Sequence, residues 1–391
     1  MTIELDRARR ETPGCANVAH LNNAGAGLMP QPVLDAITDH LRLEAEIGGY
    51  EAAAKNGAAL GRFYDSAASL INCQAQEIAF VENATRAWDM AFYSLDFKPG
   101  DRILTAKAEY ASNYMAYLQV ARKTGAVVEV IDNDEHGQIS IAALEAMVDD
   151  RVKLISITHV PTNGGLVNPA ADVGRVARAA GVPYLLDACQ SVGQMPIDVA
   201  AIGCDMLSAT GRKYLRGPRG TGFLYVRGSM VDQLEPVFLD LHAAKWVARD
   251  RYEVAAGARR FENWESNFAG KIGLGVAMDY AQGWGLAAIR DRIFGMAHGL
   301  RARLMEIPGV SVNDLGVERC AIVSFHMVGR EASMIAAAAA DQAINVSVSN
   351  VASTRLDMEG RVPDDVVRAS VHYYNSDEEI DRLCGVVKSC A

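Results

Sequence analysis

The sequence predicts an α/β fold built on a mostly parallel sheet. Short continuous apolar runs alternate with segments of helical periodicity between residues 78 and 226. Several of these runs end in a polar or charged residue, as strands that lead into a ligand site do. Of the 391 residues, 50% are hydrophobic and 22% are charged, which is ordinary for a globular protein. Continuous apolar strands of this kind are typical of a sheet covered by helices on both faces.

Each element follows from its own pattern. The predicted strands of the main sheet are 78–81, 102–105, 127–131, 154–158, 182–186, a run that ends at Thr210, and 222–226. The predicted helices between and before them are 33–43, 58–70, 84–95, 112–123, 141–148 and 171–180. We therefore expect a seven-stranded sheet.

The pattern changes after residue 268. A long helical region to about residue 305 is followed by strands at 310–312, 322–325 and near 346, an alanine-rich helix, and a final helix from 378. We predict three parts: an N-terminal segment (1–30) that packs with a small domain, a large domain (31–268), and a smaller α+β C-terminal domain (269–391).

Bulk properties exclude several classes of function. The net charge of −10 gives no electrostatic support for binding nucleic acid or an anionic membrane. The N-terminus lacks the apolar core of a signal peptide, and no apolar run is long enough to span a membrane. The seven cysteines are scattered without CxxC spacing, which favours free thiols in the cytoplasm. The histidines form no HxH or HxxxH pair, so we predict no metal site.

An acid and a lysine carry the strongest chemical signal. Asp187 ends one apolar run, and Lys213 follows another by three residues. Charges at the ends of buried strands are costly unless they have partners. A cofactor with a cationic ring nitrogen and a reactive aldehyde would partner both.

The motifs around these two residues resemble those of the class V aminotransferase family of pyridoxal-phosphate (PLP) enzymes, which have fold type I. The most specific matches are Asp187–Gln190, Thr210–Lys213 and the glycine-rich turn Gly217–Gly222. The resemblance extends from residues 21–24 to 368–381. It implies PLP as the cofactor, a small amino acid as the substrate, and a homodimer with active sites at the subunit interface.

The resemblance implies catalytic roles for three residues. Lys213 would bind the PLP aldehyde as a Schiff base and then act as the general base at Cα. Asp187 would keep the pyridinium nitrogen protonated. Tyr110 falls where the family often has a histidine stacked on the ring, and a tyrosine there lacks the imidazole's proton chemistry at neutral pH. The plain alternatives are a surface position for Lys213 and a helix N-cap for Asp187.

Further cofactor contacts are implied in the same way. Gln190 would bind the phenolic oxygen of the ring, and Thr162 stands where relatives often have an asparagine. Glu265 occupies the place of a threonine that reaches the other subunit's phosphate in relatives, and Ser266 is a substitute candidate. The residues implied to hold the phosphate are Thr85, the Arg86 N–H, Thr210 and Arg212. Helix capping is the alternative role for the threonines.

The candidate substrate residues lie mainly at the two ends of the chain. Arg368 matches the arginine that binds the substrate carboxylate, with a surface ion pair as the alternative. Asn23 and Gly25 are candidates from the N-terminal turn. Tyr50 follows a Gly-Gly pair that either forms a substrate-side loop or simply ends a helix. Arg355 would hold a second anionic group, or is an ordinary solvated loop arginine.

The reaction is predicted less directly. Cysteine desulfurases of the family need a nucleophilic cysteine in the loop that corresponds to residues 347–362, which has none here, so this activity is disfavoured. Residues 44–50 and 159–165 resemble ergothioneine-pathway C–S lyases and isopenicillin-N-epimerase-like proteins. We therefore expect chemistry through a Cα carbanion, most simply β-elimination (a C–S lyase reaction) on a cysteine-derived or other β-substituted amino acid. An epimerase and an aminotransferase are the alternatives.

Two interpretations from other functional classes fit the sequence less well. A dinucleotide-dependent oxidoreductase needs a glycine-rich turn directly after a strand, whereas Gly283–Ala288 follows a helical pattern. A non-catalytic PLP-binding protein is compatible with the fold, but it would not need the lysine, the ring acid and the carboxylate arginine together.

Overall fold

The structure is a computed structural model that describes residues 3–391. Its helices are α1 (Leu5–Arg10), α2 (Gln31–Ile47), α3 (Gly49–Lys55), α4 (Gly57–Ile71), α5 (Ala84–Tyr93), α6 (Ala111–Thr124), α7 (Ile141–Met147), α8 (Ala170–Ala180), α9 (Val199–Ile202), α10 (Gly228–Val231), α11 (Phe268–Trp284), α12 (Leu286–Met305), α13 (Ala332–Ala340), α14 (Arg355–Met358) and α15 (Asp377–Ser389).

The strands are β1 (Ala19–His20), β2 (Ile78–Val81), β3 (Arg102–Ala106), β4 (Val127–Ile131), β5 (Val152–Thr158), β6 (Tyr184–Asp187), β7 (Met206–Thr210), β8 (Gly222–Val226), β9 (Ala244–Ala248), β10 (Arg251–Val254), β11 (Val310–Val312), β12 (Ile322–Met327), β13 (Ile344–Asn345), β14 (Ser347–Ser349) and β15 (Val366–Ser370). They form two larger sheets and two short two-stranded pairs.

The main sheet confirms the predicted α/β fold. Its seven strands run in the order β2-β8-β7-β6-β5-β3-β4. Strand β8 runs opposite to the other six strands, so the sheet is mostly parallel. Its central strands are buried along their whole length, as expected for strands covered on both faces. The carboxyl ends of the parallel strands therefore meet at one edge, where a ligand site is expected.

The second sheet lies in the C-terminal part of the chain. Its strands are antiparallel in the order β11-β12-β15-β14. The N-terminal segment contacts this part of the chain: β1 forms a separate parallel pair with β13, and Asn22 forms a bridge with Ser370 of β15. Residues just after β1 are thereby held beside the end of β15, which carries Arg368.

Two glycines set helix boundaries that differ from the predicted ones. Gly48, with φ of 98°, stops α2, but α3 begins at the next residue. Gly285, with φ of 83°, splits the long C-terminal helical region into α11 and α12. Both backbones lie in the left-handed half of φ space, where a side chain is strained.

Helix α11 packs against α2 and α4 rather than against the small sheet. A Cβ atom at Gly273 would lie 2.5 Å from Ile37, and one at Gly275 would lie 3.3 Å from the backbone of Phe63. These glycines let the helices approach closely. The predicted domain boundary at residue 268 precedes this helix and stays a prediction.

No helix within residues 3–391 combines the length and the apolarity that a membrane crossing requires. Across the same residues, no cluster of three or more His, Cys, Asp or Glu side chains is arranged to hold a metal ion.

Candidate active site

A cavity of about 400 Å³ opens at the carboxyl ends of the parallel strands. This volume lies within the range of ligand pockets for small molecules. The lining residues are Asn83, Ala84, Thr85, Tyr110, Asn113, Thr158, Val160, Thr162, Asp187, Cys189, Gln190, Thr210, Arg212 and Lys213. Most of the cofactor residues predicted from the sequence are therefore brought to one place.

Sheet register explains why these residues meet. Thr158 is paired with Asp187, and Asp187 is paired with Ser208, so β5, β6 and β7 end at nearly the same level. Thr210 closes β7, and Lys213 follows on the turn. Residues far apart in the chain thus line one wall of the cavity.

Asp187 is held by two donors. It is 4% exposed, and its Oδ1 accepts from the Cys189 N–H at 2.9 Å. Its Oδ2 accepts from Asn113 Nδ2 at 3.0 Å. These bonds fix the carboxylate at the cavity wall, where it can pair with a cationic ring nitrogen.

Two basic side chains line the cavity in surroundings that disfavour their charge. Burial lowers the pKa of Lys213, although the nearby Cys189 and Asp187 act in the opposite direction. Burial also lowers the pKa of Arg212, and Arg219 adds to the shift. A lysine whose ammonium form is destabilised is a better nucleophile toward an aldehyde, and both groups would gain from an anionic ligand.

Gln190 carries an unsatisfied group toward the same space. Its Nε2 donates to the Ala24 carbonyl at 3.1 Å and to Thr162 Oγ1 at 3.3 Å. Its Oε1 is buried without a hydrogen-bond partner. A buried acceptor without a partner is unfavourable, so a ligand hydroxyl is a fitting occupant.

The N-terminus of α5 faces the cavity through Asn83, Ala84 and Thr85. Helix N-termini attract phosphate. One predicted contact is already occupied: the Arg86 N–H donates to Asn83 Oδ1 at 2.9 Å, because Asn83 is the N-cap. The Arg86 guanidinium instead lies 4.3 Å from the centre of the Phe238 ring, outside the cavity lining.

Arg368 adjoins the cavity from the small sheet. It is 8% exposed and donates from Nη1 to the Thr162 carbonyl at 2.8 Å and to Thr162 Oγ1 at 3.0 Å. Its other nitrogens reach Ser347 Oγ at 3.1 Å and Asn22 Oδ1 at 3.3 Å. No carboxylate is among these partners, so the guanidinium keeps its capacity to bind one.

The remaining predicted residues lie away from the cavity lining. Asn23 is fully buried and donates to the carbonyls of Ser370 and His20 at 2.7 and 3.1 Å. The Gly25 carbonyl accepts a short hydrogen bond from Arg212. Tyr50 is 74% exposed on α3. The substrate roles of Asn23, Gly25 and Tyr50 stay predictions.

The two residues predicted from more distant loops also lie on the surface. The Arg355 side chain is 68% exposed, and its nearest ion-pair partner is Glu359 at 4.0 Å. Ser266 is half-buried on the turn before α11. Their proposed roles as substrate and phosphate contacts stay predictions.

Three site residues were missed by the sequence reasoning: Asn113, Asn83 and Glu109. Asn113 lies four residues after Glu109, and that spacing places both on one face at the start of a helix. Asn83 stands directly before the helix that follows β2, which is an N-cap signal. Both signals are visible in the sequence.

These residues fit PLP. Lys213 suits its aldehyde, Asp187 its ring nitrogen, the orphaned Gln190 Oε1 its phenolic hydroxyl, and Arg212 with the α5 N-terminus its phosphate. Tyr110 is 37% exposed and lines the cavity where it could stack on the ring. Each donor and acceptor thus has a chemically matched partner.

Comparison with known proteins identifies the family. The sequence profile of aminotransferase class-V matches residues 19–383. A probable cysteine desulfurase of Methanothermobacter thermautotrophicus is 30% identical, over 97% of this chain and 96% of that protein. The apo structure of a cysteine desulfurase from Thermococcus onnurineus is 26% identical with a TM-score of 0.93, covering 100% of this chain and 98% of the other.

A further solved structure is similar in fold, with a TM-score of 0.87 and 24% identity over 97% of this chain and 98% of the other. It is a C-DES mutant with glycine covalently linked to its PLP cofactor. PLP is the cofactor of the family whose profile matches this chain, and it is therefore the cofactor of this chain.

The comparisons overturn the predicted reaction. The sequence predicts β-elimination from the resemblance of residues 44–50 and 159–165, and it disfavours a cysteine desulfurase because residues 347–362 contain no cysteine. Yet curated relatives that are 28–31% identical over nearly the whole chain are named cysteine desulfurases. A cysteine in this loop would serve one sulfur-transfer step only, so its absence leaves the rest of the site unchanged.

Proposed function

The chain belongs to the aminotransferase class-V family, and from this membership we propose that it is a PLP-dependent desulfurase of cysteine. In this proposal it removes the sulfur of cysteine and passes it to a thiol outside the chain. The main support is one arrangement: Arg368, free of any carboxylate partner, adjoins a cavity that Lys213 and Asp187 line. The curated relatives indicate the reaction.

An external thiol is proposed because the 347–362 segment is folded and lacks a cysteine. Residues 355–358 form α14, and Met358 is 1% exposed. Its sulfur accepts from Asn163 Nδ2 at 3.1 Å, which joins the segment to the loop that carries Thr162. A segment anchored in this way would frame the substrate without attacking it.

Cys189 is a poor alternative acceptor although it lines the cavity. Burial raises the pKa of its thiol well above the ordinary value, and the nearby Asp187 adds to this. The thiolate is the reactive form of cysteine, and this environment suppresses it.

The reaction balances with a thiol as co-substrate. The thiolate attacks the sulfur of cysteine, a new S–S bond forms, and the Cβ–S bond breaks with its electron pair left on Cβ. Cβ then takes up a proton equivalent to the one that the attacking thiol gave up, so the products are alanine and a persulfide. When bound, PLP withdraws electrons from Cα and stabilises the carbanion. Lys213 takes the Cα proton and later returns it, while Arg368 holds the substrate carboxylate.

The test is product analysis of PLP-loaded protein with cysteine and dithiothreitol. The proposal expects alanine and sulfide in equal amounts, at a rate that rises with dithiothreitol concentration. Pyruvate and ammonia in place of alanine would overturn it, as would the absence of turnover. The Lys213→Ala variant provides the background rate.

We also propose that the protein is a homodimer. Large apolar side chains are exposed on and around the β9–β10 hairpin: Leu241 is 75%, Trp246 70% and Trp264 56% exposed. A second copy would cover them, and Ser266 lies beside Trp264. Sedimentation of the 42.1 kDa chain should give twice that mass. Trp246→Glu should give monomers, whereas Val317→Glu, at a site 69% exposed on the other domain, should not.

A cytoplasmic location is proposed as well. All seven cysteines are free, and Cys204 and Cys320 are fully buried as thiols. Proteins whose cysteines are all free thiols are typical of a reducing compartment. A fractionation experiment with a tagged chain would test this.

A further inference from the structure

A second carboxylate lies behind Asp187. Glu109 is 3% exposed, and within residues 3–391 none of its hydrogen-bond partners is a Lys, Arg or His. The groups that donate to it are Thr158 Oγ1, the Tyr110 N–H at 2.7 Å, Asn113 Nδ2 at 3.0 Å, Thr105 Oγ1 at 2.9 Å and Tyr117 OH at 3.4 Å. A buried acid without a cation is costly and calls for a reason.

Asn113 connects the two acids. Its Nδ2 donates to Glu109 Oε1 at 3.0 Å and to Asp187 Oδ2 at 3.0 Å. An amide nitrogen carries two hydrogens, so both are used. Glu109 therefore fixes the orientation of the group that in turn fixes Asp187.

We propose that Glu109 is a positioning residue for the cofactor. Through Asn113 it orients Asp187, and its charge adds to the negative potential that the ring nitrogen experiences. Supporting groups of this kind hold a site's primary contacts in their productive geometry. The inference rests on the PLP site alone and is independent of the desulfurase proposal.

The charged groups around Glu109 make its effect on the ring nitrogen of the cofactor depend on pH. The titratable groups that face it are Asp187 on β6 and Tyr117 on α6. Burial, with a contribution from Asp187, raises the pKa of Glu109 to about 7. Near neutral pH the second charge is thus partly present, and the cofactor's own titration should follow it.

A purely structural role is the competing explanation. Glu109 accepts the Tyr110 N–H at the start of α6, as a helix-capping group does. In that case its loss would weaken the fold with and without PLP by the same amount. A positioning role predicts a specific loss in the PLP-bound form.

The experiment compares Glu109→Gln, Asn113→Leu and the double variant with the parent protein. Glu379→Gln is the control for losing a buried carboxylate outside the cavity lining. Glu379 is 5% exposed and accepts from Asn375 Nδ2 at 2.8 Å, and unlike Glu109 it also pairs with Arg9 at 2.8 Å. Two quantities are measured: the dissociation constant of PLP from stripped protein, and the pH midpoint of the bound cofactor's absorbance change.

For Glu109→Gln we expect PLP to bind about tenfold more weakly, the effect of losing one charge-assisted hydrogen bond. The pH midpoint should fall, because the protonated cofactor loses a stabilising negative charge. The double variant should bind PLP no more weakly than the worse single variant, since both act through one bridge. Glu379→Gln should leave both quantities unchanged.

Two results would overturn the inference. One is an unchanged pH midpoint in Glu109→Gln together with equal loss of thermal stability in the loaded and stripped proteins. The other is strict additivity of the two single variants in PLP binding, which would mean that Asn113 does not transmit the effect.

Discussion

Arg368 donates from one guanidinium nitrogen to both the carbonyl and the hydroxyl oxygen of Thr162, at 2.8 and 3.0 Å. One residue belongs to the small antiparallel sheet, and the other follows a strand of the main sheet. The loop after β5 thus holds the Arg368 guanidinium beside the cavity.

Replacing Arg368 by lysine should lower kcat/KM for cysteine about 10- to 100-fold. Lysine keeps the charge but loses the planar fork that grips a carboxylate with two hydrogen bonds. Steady-state kinetics measures this. Arg303→Gln removes a surface arginine paired with Asp381 at 2.9 Å and should change kcat/KM less than twofold.

Replacing Lys213 by alanine should abolish the absorbance band of covalently bound PLP and lower activity by at least about 10²-fold. The reason is that Lys213 is the only lysine among the described residues that line the cavity. Spectra of the loaded variant give the readout. Lys107→Ala, which removes a partly exposed lysine paired with Asp132 at 3.1 Å, should leave the spectrum unchanged.

Glu109 should make the stripped protein less stable as the pH rises. Its pKa is about 7 in the fold, against 4.5 for the unfolded group, so the folded state retains a proton that the unfolded chain releases. This stabilisation is present at low pH and is lost as the pH rises through 7. We expect a loss of about 1 kcal/mol between pH 6 and 8, from denaturant unfolding.

The variant Glu109→Gln should lack this part of the pH dependence. An identical slope between pH 6 and 8 in the variant and the parent would show that Glu109 does not titrate in this range.

His159 should make the protein less stable as the pH falls, which is opposite to the effect of Glu109. Burial lowers its pKa to about 4, and its Nδ1 has no partner. The unfolded chain therefore binds a proton that the folded state excludes, and stability is lost as the pH falls from 6.5 toward 4. At pH 5 the loss should be about 2 kcal/mol relative to pH 7. Unfolding of His159→Gln should lose less stability over that interval than the parent does.

The main sheet could be predicted because its strands are buried on both faces and read as unbroken apolar runs, such as 154–158. The β9–β10 hairpin could not, because its exposed strands carry mixed polar and aromatic residues, including Trp246 at 70% exposure. The pattern in such a segment does not separate a strand from a loop.

The residues of the site also divide into those that a motif predicts and those that it does not. Lys213, Asp187 and Gln190 stand at strand ends in recognisable motifs, and the cavity brings them together. Glu109 could not be inferred, because its burial depends on contacts with three different strands and helices. The Asn83 side chain accepts from the Arg86 N–H that was predicted to bind phosphate, and a motif does not express such a local competition.

The turn that carries Lys213 is held by residues from the N-terminal segment and from the segment after β15. Arg216, which is fully buried with φ of 59°, donates to the Leu28 carbonyl at 2.7 Å and to Tyr373 OH at 2.5 Å. The Gly27 N–H also donates to the Arg212 carbonyl at 2.8 Å. The setting of Lys213 therefore depends on two segments that are distant in sequence, residues 27–28 and Tyr373, being packed against its turn together.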